Sequence, residues 1–150
     1  MRRDLQGEIP DPALPAGVSL RTMENRDARA AHDVLALGFW QGGGGAPKFR
    51  TWWSQLRKDS EYDPALCLVA VGPEGVVGMA QCWTSAFVKD IAVHPGARRS
   101  GIGRALMLAV FQAFRSRGAK HVDLKVREEN APAVALYRSL DMAIVAREPA

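Results

Sequence analysis

The chain has 150 residues, of which 47% are hydrophobic and 24% charged. This length and composition fit one folded domain and exclude a largely disordered chain. The formal net charge of +4 suits an anionic ligand, but acidic residues are mixed among the basic ones, which argues against nucleic acid as the partner.

An arm, a single domain and ten regular elements are predicted in chain order. Residues 1–17 are rich in proline and charge, so they predict an extended or partly disordered N-terminal arm ahead of one domain over 18–150. Periodicity and turn residues predict a strand over 18–23, helices over 26–37 and 48–58, strands over 67–71, 76–83 and 87–93, a helix over 103–117, a strand over 121–126, a helix over 130–140 and a strand over 142–146. This order, β-α-α-β-β-β-α-β-α-β, predicts an α/β fold with a mixed sheet.

The sequence also predicts the location of the protein and the redox state of its two cysteines. No apolar run is long enough to span a bilayer, and the first residues lack the apolar core of a signal peptide. Cys67 and Cys82 lie in apolar, strand-like segments without metal-ligand spacing. We therefore expect a cytoplasmic protein with reduced cysteines, no membrane contact and no metal.

A turn rich in glycine and arginine, HPGARRSGIGR, joins the predicted strand over 87–93 to the next helix. The helix N-terminus leaves amides unpaired, and Gly101 and Gly103 let an anion approach them closely. Arginine side chains surround this point, so the turn predicts a phosphate site. The alternative is a purely structural turn with a solvated rim. Leu106 stands where a dinucleotide-binding G-x-G-x-x-G needs its third glycine, and no G-K-[ST] follows, so neither of those phosphate loops fits.

Two sequence patterns together resemble one family. The first is R-x-x-G-x-G, from Arg98 to Gly103, directly after a strand that reads DIAVHP. The second, N-x-x-A-x-x-L-Y, is formed downstream by Asn130, Ala133, Leu136 and Tyr137. Over about 87–142 the chain is similar to the GCN5-related N-acetyltransferase (GNAT) family. The resemblance implies an acyl-CoA N-acyltransferase fold, with acetyl-CoA as co-substrate and no metal.

The resemblance also assigns a cofactor site. Strand residues Ile91, Ala92 and Val93 would pair with the pantetheine arm of acetyl-CoA. The residues that would surround the diphosphate are Arg98, Arg99, Ser100, Gly101, Ile102, Gly103 and Arg104. Asn130, Ala133 and Tyr137 would complete the site, and a main-chain amide at a bulge near Val93 would polarise the acetyl carbonyl.

The implied reaction is direct transfer of an acetyl group to an amine of a small molecule or peptide. Tyr137 would donate a proton to the departing CoA thiolate, since a tyrosine hydroxyl is protonated at neutral pH. By helical spacing alone, Tyr137 is favoured as a core residue with a tethered hydroxyl, and Asn130 can be a helix cap and nothing more. A noncatalytic acyl-CoA-binding or regulatory module of the same fold therefore stays open.

The general base and the acceptor site are not determined by the sequence. Asp90, Glu61 and His94 are candidate bases, and Cys82 is a candidate acyl carrier, although an apolar strand cysteine is typical of packing. The aromatic residues that bracket the glycine loop are Phe39, Trp40, Phe49, Trp52 and Trp53. Helical spacing favours Phe49 and Trp53 as core, whereas the position of Trp40 beside the glycine loop favours it as a mobile pocket wall.

Two departures from the family pattern affect the end of the domain. Asp141 and Met142 stand where the family usually has Gly-Phe, so an aspartate must make the turn, and aspartate tolerates a left-handed conformation better than most residues. Many relatives also continue with a further strand after the predicted strand over 142–146. We therefore expect the N-terminal arm, or the second subunit of a homodimer, to cover the open sheet edge.

Overall fold

The computed structural model describes residues 1–41 and 47–147. The strands are β1 (Arg2–Asp4), β2 (Ser19–Thr22), β3 (Tyr62–Gly72), β4 (Gly75–Trp83), β5 (Phe87–Val93) and β6 (His121–Leu124). The helices are α1 (Ala28–Gln41), α2 (Phe49–Lys58), α3 (Ile102–Ser116) and α4 (Ala131–Ser139). The strands form one six-stranded sheet in the order β1-β6-β5-β4-β3-β2, antiparallel except for the parallel pair β5-β6. The predicted α/β fold with a mixed sheet is confirmed.

The two faces of the sheet carry separate apolar clusters. On one face, α1 and α2 pack over Val69 and Met79, with Trp52 of α2 at the centre. On the other face, α3 and α4 cover a larger cluster that includes Phe111. Side chains alternate along a strand, so Ile91 and Val93 of β5 face α3 whereas Ala92 faces α1 and α2.

A glycine in β4 lets α3 lie close to the sheet. A methyl group added at Gly78 would lie 3.0 Å from Cγ2 of Ile102 and 3.1 Å from Cδ1 of Leu106, tighter than side chains normally pack. Ile102 and Leu106 belong to the first two turns of α3. The close approach therefore fixes the N-terminal end of α3 beside the end of β5.

The N-terminal arm contributes a strand that its composition does not predict. β1 pairs antiparallel with β6 at the sheet edge, and the flanking Met1, Leu5 and Ile9 are buried in the larger cluster. Gln112 and Arg115 of α3 donate hydrogen bonds to the carbonyls of Pro10 and Gly7, so the arm lies along that helix. The strand is three residues long and its partner is about 120 positions away, so local alternation gives no signal for it.

The predicted strand over 142–146 is wrong in extent. Among the described residues of this segment, a single bridge forms, between Ala143 and Arg2. β1 already occupies the outer edge of β6, so the chain after α4 meets β1 instead of the main sheet. The segment therefore extends past the sheet edge without a ladder of its own.

Further findings concern membrane spans, metal sites and the two cysteines. In the described part of the chain, no helix is long and apolar enough to cross a membrane. Across residues 1–41 and 47–147, no three His, Cys, Asp or Glu side chains are grouped so that they could hold a metal ion. Cys67 and Cys82 are buried free thiols, and burial raises the pKa of Cys67 to about 12.

Candidate active site

β5 separates from β6 partway along its length. The two strands pair in parallel at Phe87–Asp123 and Val88–Leu124. Beyond these positions, among the described residues, β5 pairs with β4 alone as far as Val93, whose carbonyl also accepts a bond from Nε of Arg98 at 3.4 Å. A gap therefore opens between β5 and β6, with unpaired main-chain groups along its β5 side. Ile91, Ala92 and Val93, assigned from the sequence to the pantetheine arm, lie along this gap and are partly exposed.

The register of β5 breaks at Lys89. Gln81 of β4 lies opposite Asp90, whereas Cys82 lies opposite Val88, so Lys89 is one extra residue on β5. Such a bulge turns main-chain groups out of the ladder. The family resemblance implied a bulge near Val93, four positions further on, whereas the register shift of β5 against β4 lies at Lys89.

The turn over residues 98–104, called here the 98–104 turn, presents main-chain donors. Gly101 precedes α3 with a φ of 84°, and Arg99 also has a positive φ, 65°. Among the described residues, the N–H groups of Ile102, Gly103 and Arg104 donate no hydrogen bond, as expected for a first helical turn. Together with the positive end of the helix dipole, these donors form a site for an anion.

Charge and side chains around the 98–104 turn reinforce this anion preference. The guanidinium groups of Arg98, Arg99 and Arg104 are on exposed residues beside the free amides. Ser100 donates its hydroxyl hydrogen to the Ala97 carbonyl, which holds the turn from within. Arg104 also reaches the C-terminal end of α4, where its Nη1 lies 3.4 Å from the Ser139 carbonyl.

Gly103 and α4 close the site on the side of the larger apolar cluster. A methyl group at Gly103 would contact Leu136 of α4 at 3.5 Å and Val93 of β5 at 3.7 Å, so three elements meet there. Asn130 caps α4 by accepting the Ala133 N–H at 3.3 Å, which confirms the cap expected from the sequence. Ala133 is half-buried against the same cluster.

Tyr137 lies in α4 with its ring buried and its hydroxyl unbonded. The residue is 7% exposed, and burial raises the pKa of its hydroxyl above the ordinary value. Within the described part of the chain, that hydroxyl makes no hydrogen bond. A purely structural core tyrosine normally has its hydroxyl tethered. Tyr137 is thus a proton donor that has no acceptor among the described residues.

A cleft lies on the face of the sheet that α1 and α2 cover, beside the bulge. This cleft, called here the Asp90 cleft, has a volume of about 260 Å³ and is lined by Leu35, Pro47, Trp52, Gln55, Leu56, Asp59, Lys89 and Asp90. The Asp90 side chain is 11% exposed and lies 3.2 Å from Nζ of Lys89. The cleft thus combines an aromatic wall with two carboxylates and one ammonium group, which suits a cationic or polar ligand.

Two buried polar atoms near the Asp90 cleft have no partner in the described structure. The indole Nε1 of Trp52, which lines the cleft, donates to nothing, and Oε1 of Gln81 accepts from nothing. Gln81 is 1% exposed and lies directly opposite Asp90, so both side chains are on the same face. Buried polar groups are nearly always paired, so these two atoms point to a polar ligand or ordered water there.

The structure separates the candidate bases. Asp90 lines the cleft, whereas Glu61 accepts the Ser85 N–H at 3.0 Å in the turn that joins β4 to β5. His94 accepts the Gly96 N–H through Nδ1 and caps an exposed turn. Cys82 is 1% exposed and burial raises its pKa, so its thiol is not a ready nucleophile.

The aromatic residues divide differently from the sequence interpretation. Phe49 and Trp53 pack against the apolar cluster as expected, but the cleft wall is Trp52, 3% exposed. The side chains of Phe39 and Trp40 lie outside the described residues, as does the predicted glycine loop over 42–45. Asp59 and Gln81 were missed. A glutamine within the apolar run VVGMAQCW was the available signal for Gln81.

The splayed parallel pair, the bulge and the anion-binding helix N-terminus define a class. Together with the mixed sheet, they fit the acyl-CoA N-acyltransferase fold. Residues 22–142 match the family model described as "Acetyltransferase (GNAT) family". The chain belongs to this family, as the sequence resemblance indicated.

Individual relatives agree with that assignment. The chain is 36% identical to a mycothiol acetyltransferase of Thermobispora bispora, over 93% of this chain and 51% of that protein. It is 43% identical to a streptothricin acetyltransferase of Streptomyces lavendulae, over 50% of this chain and 43% of that protein. It thus spans about half the length of the curated relatives it matches.

A solved structure shows the same fold. The structure of a GCN5-related N-acetyltransferase from Sphaerobacter thermophilus superposes with a TM-score of 0.81 at 29% identity, covering 95% of this chain and 46% of that one. The ribosomal-protein-S18-alanine N-acetyltransferase of Escherichia coli gives a TM-score of 0.65 at 26% identity, over 82% of this chain and 76% of that one. The fold is therefore shared with two solved N-acetyltransferases, of which the second is named for its acceptor.

Proposed function

We propose that the chain is an acetyl-CoA-dependent N-acetyltransferase that transfers an acetyl group directly to an amine. The observation that carries this proposal is the arrangement around β5. On one side, the gap and the 98–104 turn form what we call the cofactor side, which includes Tyr137. On the other side, the Asp90 cleft forms what we call the acceptor side, and the bulge at Lys89 lies between them.

The residues of the cofactor side fit acetyl-CoA. The free amides of Ile102, Gly103 and Arg104 would donate to the diphosphate, and Arg99 would add positive charge. Unpaired groups of β5 would accept and donate to the amides of the pantetheine arm, as a strand edge does. Such a co-substrate supplies an activated acetyl thioester when bound.

The chain's own groups would handle the protons of the transfer. As the amine nitrogen forms its bond to the acetyl carbon and the carbon–sulfur bond breaks, Tyr137 would give its hydroxyl proton to the departing sulfur. Asp90 would take the proton that the amine loses, directly or through one water. A main-chain N–H freed by the bulge at Lys89 would stabilise the negative charge on the carbonyl oxygen.

The acceptor is inferred to be a small, polar, cationic amine. Asp59 and Asp90 outnumber Lys89 in the cleft, so the lining favours a positive charge. Trp52 Nε1 and Gln81 Oε1 would find partners in a ligand that carries both hydrogen-bond acceptors and donors. The curated relatives named for mycothiol and streptothricin support a small molecule over a peptide.

Two measurements test the proposal together. Calorimetry with acetyl-CoA should show one binding site, and release of free CoA should be detected with a thiol reagent across a panel of amines. Cys67 and Cys82 are each 1% exposed, so the folded protein should give little thiol background. Binding without CoA release for any amine would favour the noncatalytic acyl-CoA-binding module, and absence of binding would refute both functions.

A further inference from the structure

Arg3 of β1 is a buried cation with too few partners. Its side chain is 6% exposed, and its Nε and Nη1 have no hydrogen-bond partner in the described structure. The guanidinium lies 5.0 Å from the centre of the Phe111 ring, and Nη2 is 3.4 Å from the Glu8 carbonyl. Burying a guanidinium with so few hydrogen bonds costs free energy. A structural role for Arg3 that offsets this cost is therefore expected.

The ion partner of Arg3 is the residue that ends α4. Nη2 of Arg3 lies 3.6 Å from Oδ2 of Asp141. Asp141 has a left-handed φ of 64°, at the position where helices usually end with glycine. Its N–H donates to the Arg138 carbonyl at 3.1 Å, and the Met142 N–H donates to the Tyr137 carbonyl at 3.0 Å. These two bonds form a Schellman cap, in which the Tyr137 carbonyl is the first acceptor along the chain.

The backbone of β1 holds the same segment from the other side. The N–H of Arg2 donates to the Ala143 carbonyl at 2.8 Å, and the Ala143 N–H donates back to the Arg2 carbonyl at 2.9 Å. β1 thus lies between β6, which forms one side of the gap, and the chain that follows α4. The arm connects the end of α4 to the sheet at the cofactor side.

We propose that Arg3 is a positioning residue for Tyr137. By placing a positive charge beside Asp141, Arg3 stabilises the left-handed turn that ends α4, and through the two cap bonds it sets the height and rotation of Tyr137 relative to β5. Asp141 needs this support because an L-residue in the left-handed region is less stable there than glycine. The catalytic consequence rests on the proposed role of Tyr137 as proton donor, whereas the geometric consequence does not.

Fluorine NMR of protein labelled with 3-fluorotyrosine tests the geometry directly. The chain has two tyrosines, Tyr62 and Tyr137, so two resonances are expected, assigned by Tyr→Phe replacement. Arg3→Met should move the Tyr137 resonance beyond its linewidth and leave Tyr62 in place. Arg2 lies beside Arg3 on β1, and its exposed side chain pairs with Asp123 of β6. Arg2→Met, which breaks this pair, should move neither resonance. An unmoved Tyr137 resonance in folded Arg3→Met overturns the proposal.

A second pair of variants separates positioning from general loss of structure. Asp141→Asn keeps the tolerance for a left-handed φ and removes the charge, and its side chain is 84% exposed, so folding is not at risk. It should move Tyr137 in the same direction as Arg3→Met. Glycine adopts the left-handed turn without support. In the Asp141→Gly background, Arg3→Met should therefore shift the Tyr137 resonance little. If Arg3→Met moves Tyr137 equally in the Asp141→Gly background, Arg3 does not act through the cap.

Kinetics then link the geometry to the reaction. Arg3→Met should lower kcat by roughly 10- to 100-fold with little change in the KM for acetyl-CoA, as a misplaced catalytic group does. In the Tyr137→Phe background, the same change should lower kcat no further. If Tyr137→Phe itself retains full kcat, the proton-donor role fails, and the fluorine spectra still decide whether Arg3 positions the residue.

Discussion

The cofactor side of β5 consists mainly of main-chain groups, whereas the acceptor side consists mainly of side chains. The cofactor side depends on backbone: free amides at the start of α3, a left-handed glycine and an open strand edge. The acceptor side depends on side chains from α1, from α2 and the residues that flank it, and from β5, separated by up to 55 positions in the chain. A backbone site tolerates few alternatives, whereas a side-chain cleft can be changed one residue at a time.

This difference explains how one fold serves relatives named for different acceptors. The proposed acetyl-CoA site needs glycines and a helix start, and few positions in the sequence can supply them. The cleft needs only residues of suitable size and charge on two helices and a strand. We therefore expect substitutions on the acceptor side to alter amine choice, and substitutions on the cofactor side to alter every reaction equally.

The largest effect is expected at Tyr137. Tyr137→Phe should lower kcat by about 100-fold or more, since general acid catalysis typically contributes that much, and should leave acetyl-CoA affinity nearly unchanged. Because burial raises the pKa of the hydroxyl, any fall in wild-type kcat from loss of this proton should come at a higher pH than for an ordinary tyrosine. Steady-state CoA release measures both. Tyr62→Phe is the matched control, and equal rates for the two variants would contradict the assignment.

Asp90 should show the next largest effect, on the acceptor side. Asp90→Asn should lower kcat/KM for the amine by roughly 10- to 100-fold at neutral pH. The loss should shrink as pH rises, because a growing fraction of the amine is then already neutral. Calorimetry should find acetyl-CoA affinity intact. Glu61→Gln provides the comparison, and a larger loss in that variant would move the base away from the cleft.

Gly101 tests the backbone character of the cofactor side. Gly101→Ala should weaken acetyl-CoA binding about 5- to 30-fold, because the free protein would relieve roughly 1–2 kcal/mol of left-handed strain by moving the turn, and binding would have to restore it. Gly118 has the same φ of 84° at the other end of α3, with nothing within 4 Å of an added methyl group. Gly118→Ala should therefore lose stability without losing affinity. Equal affinity losses would show that strain in α3, not the turn, is responsible.

The same contrast explains what the sequence could predict. The 98–104 turn and the cap at Asn130 follow from local residue types, and the structure places both as expected. β1 and the bulge at Lys89 depend on which strands meet, over long sequence distances, and local patterns carry no such information. Asp90 could be named but not assigned to a face until its opposition to Gln81 was known.

The smallest expected effect concerns the anchoring of α1, the helix that supplies Leu35 to the Asp90 cleft. The Asp27 carboxylate, just before α1, accepts bonds from Arg21 of β2 and from the Glu24 N–H, and the Arg21 bonds hold its pKa below the ordinary value of 3.8. A lowered carboxyl pKa stabilises the fold above pH 3.8, and this stability is lost as pH falls through the lowered value.

Asp27→Asn should therefore lower the free energy of unfolding by about 1–2 kcal/mol at pH 7, with less difference from wild type at pH 2. Thermal melts across this range, with the exposed Asp33→Asn as control, measure it. Acetyl-CoA affinity should stay unchanged while the KM for the amine rises, because only the helices of the acceptor side are loosened. If acetyl-CoA affinity fell by the same factor as the KM for the amine rose, the two sides of β5 would not be structurally independent.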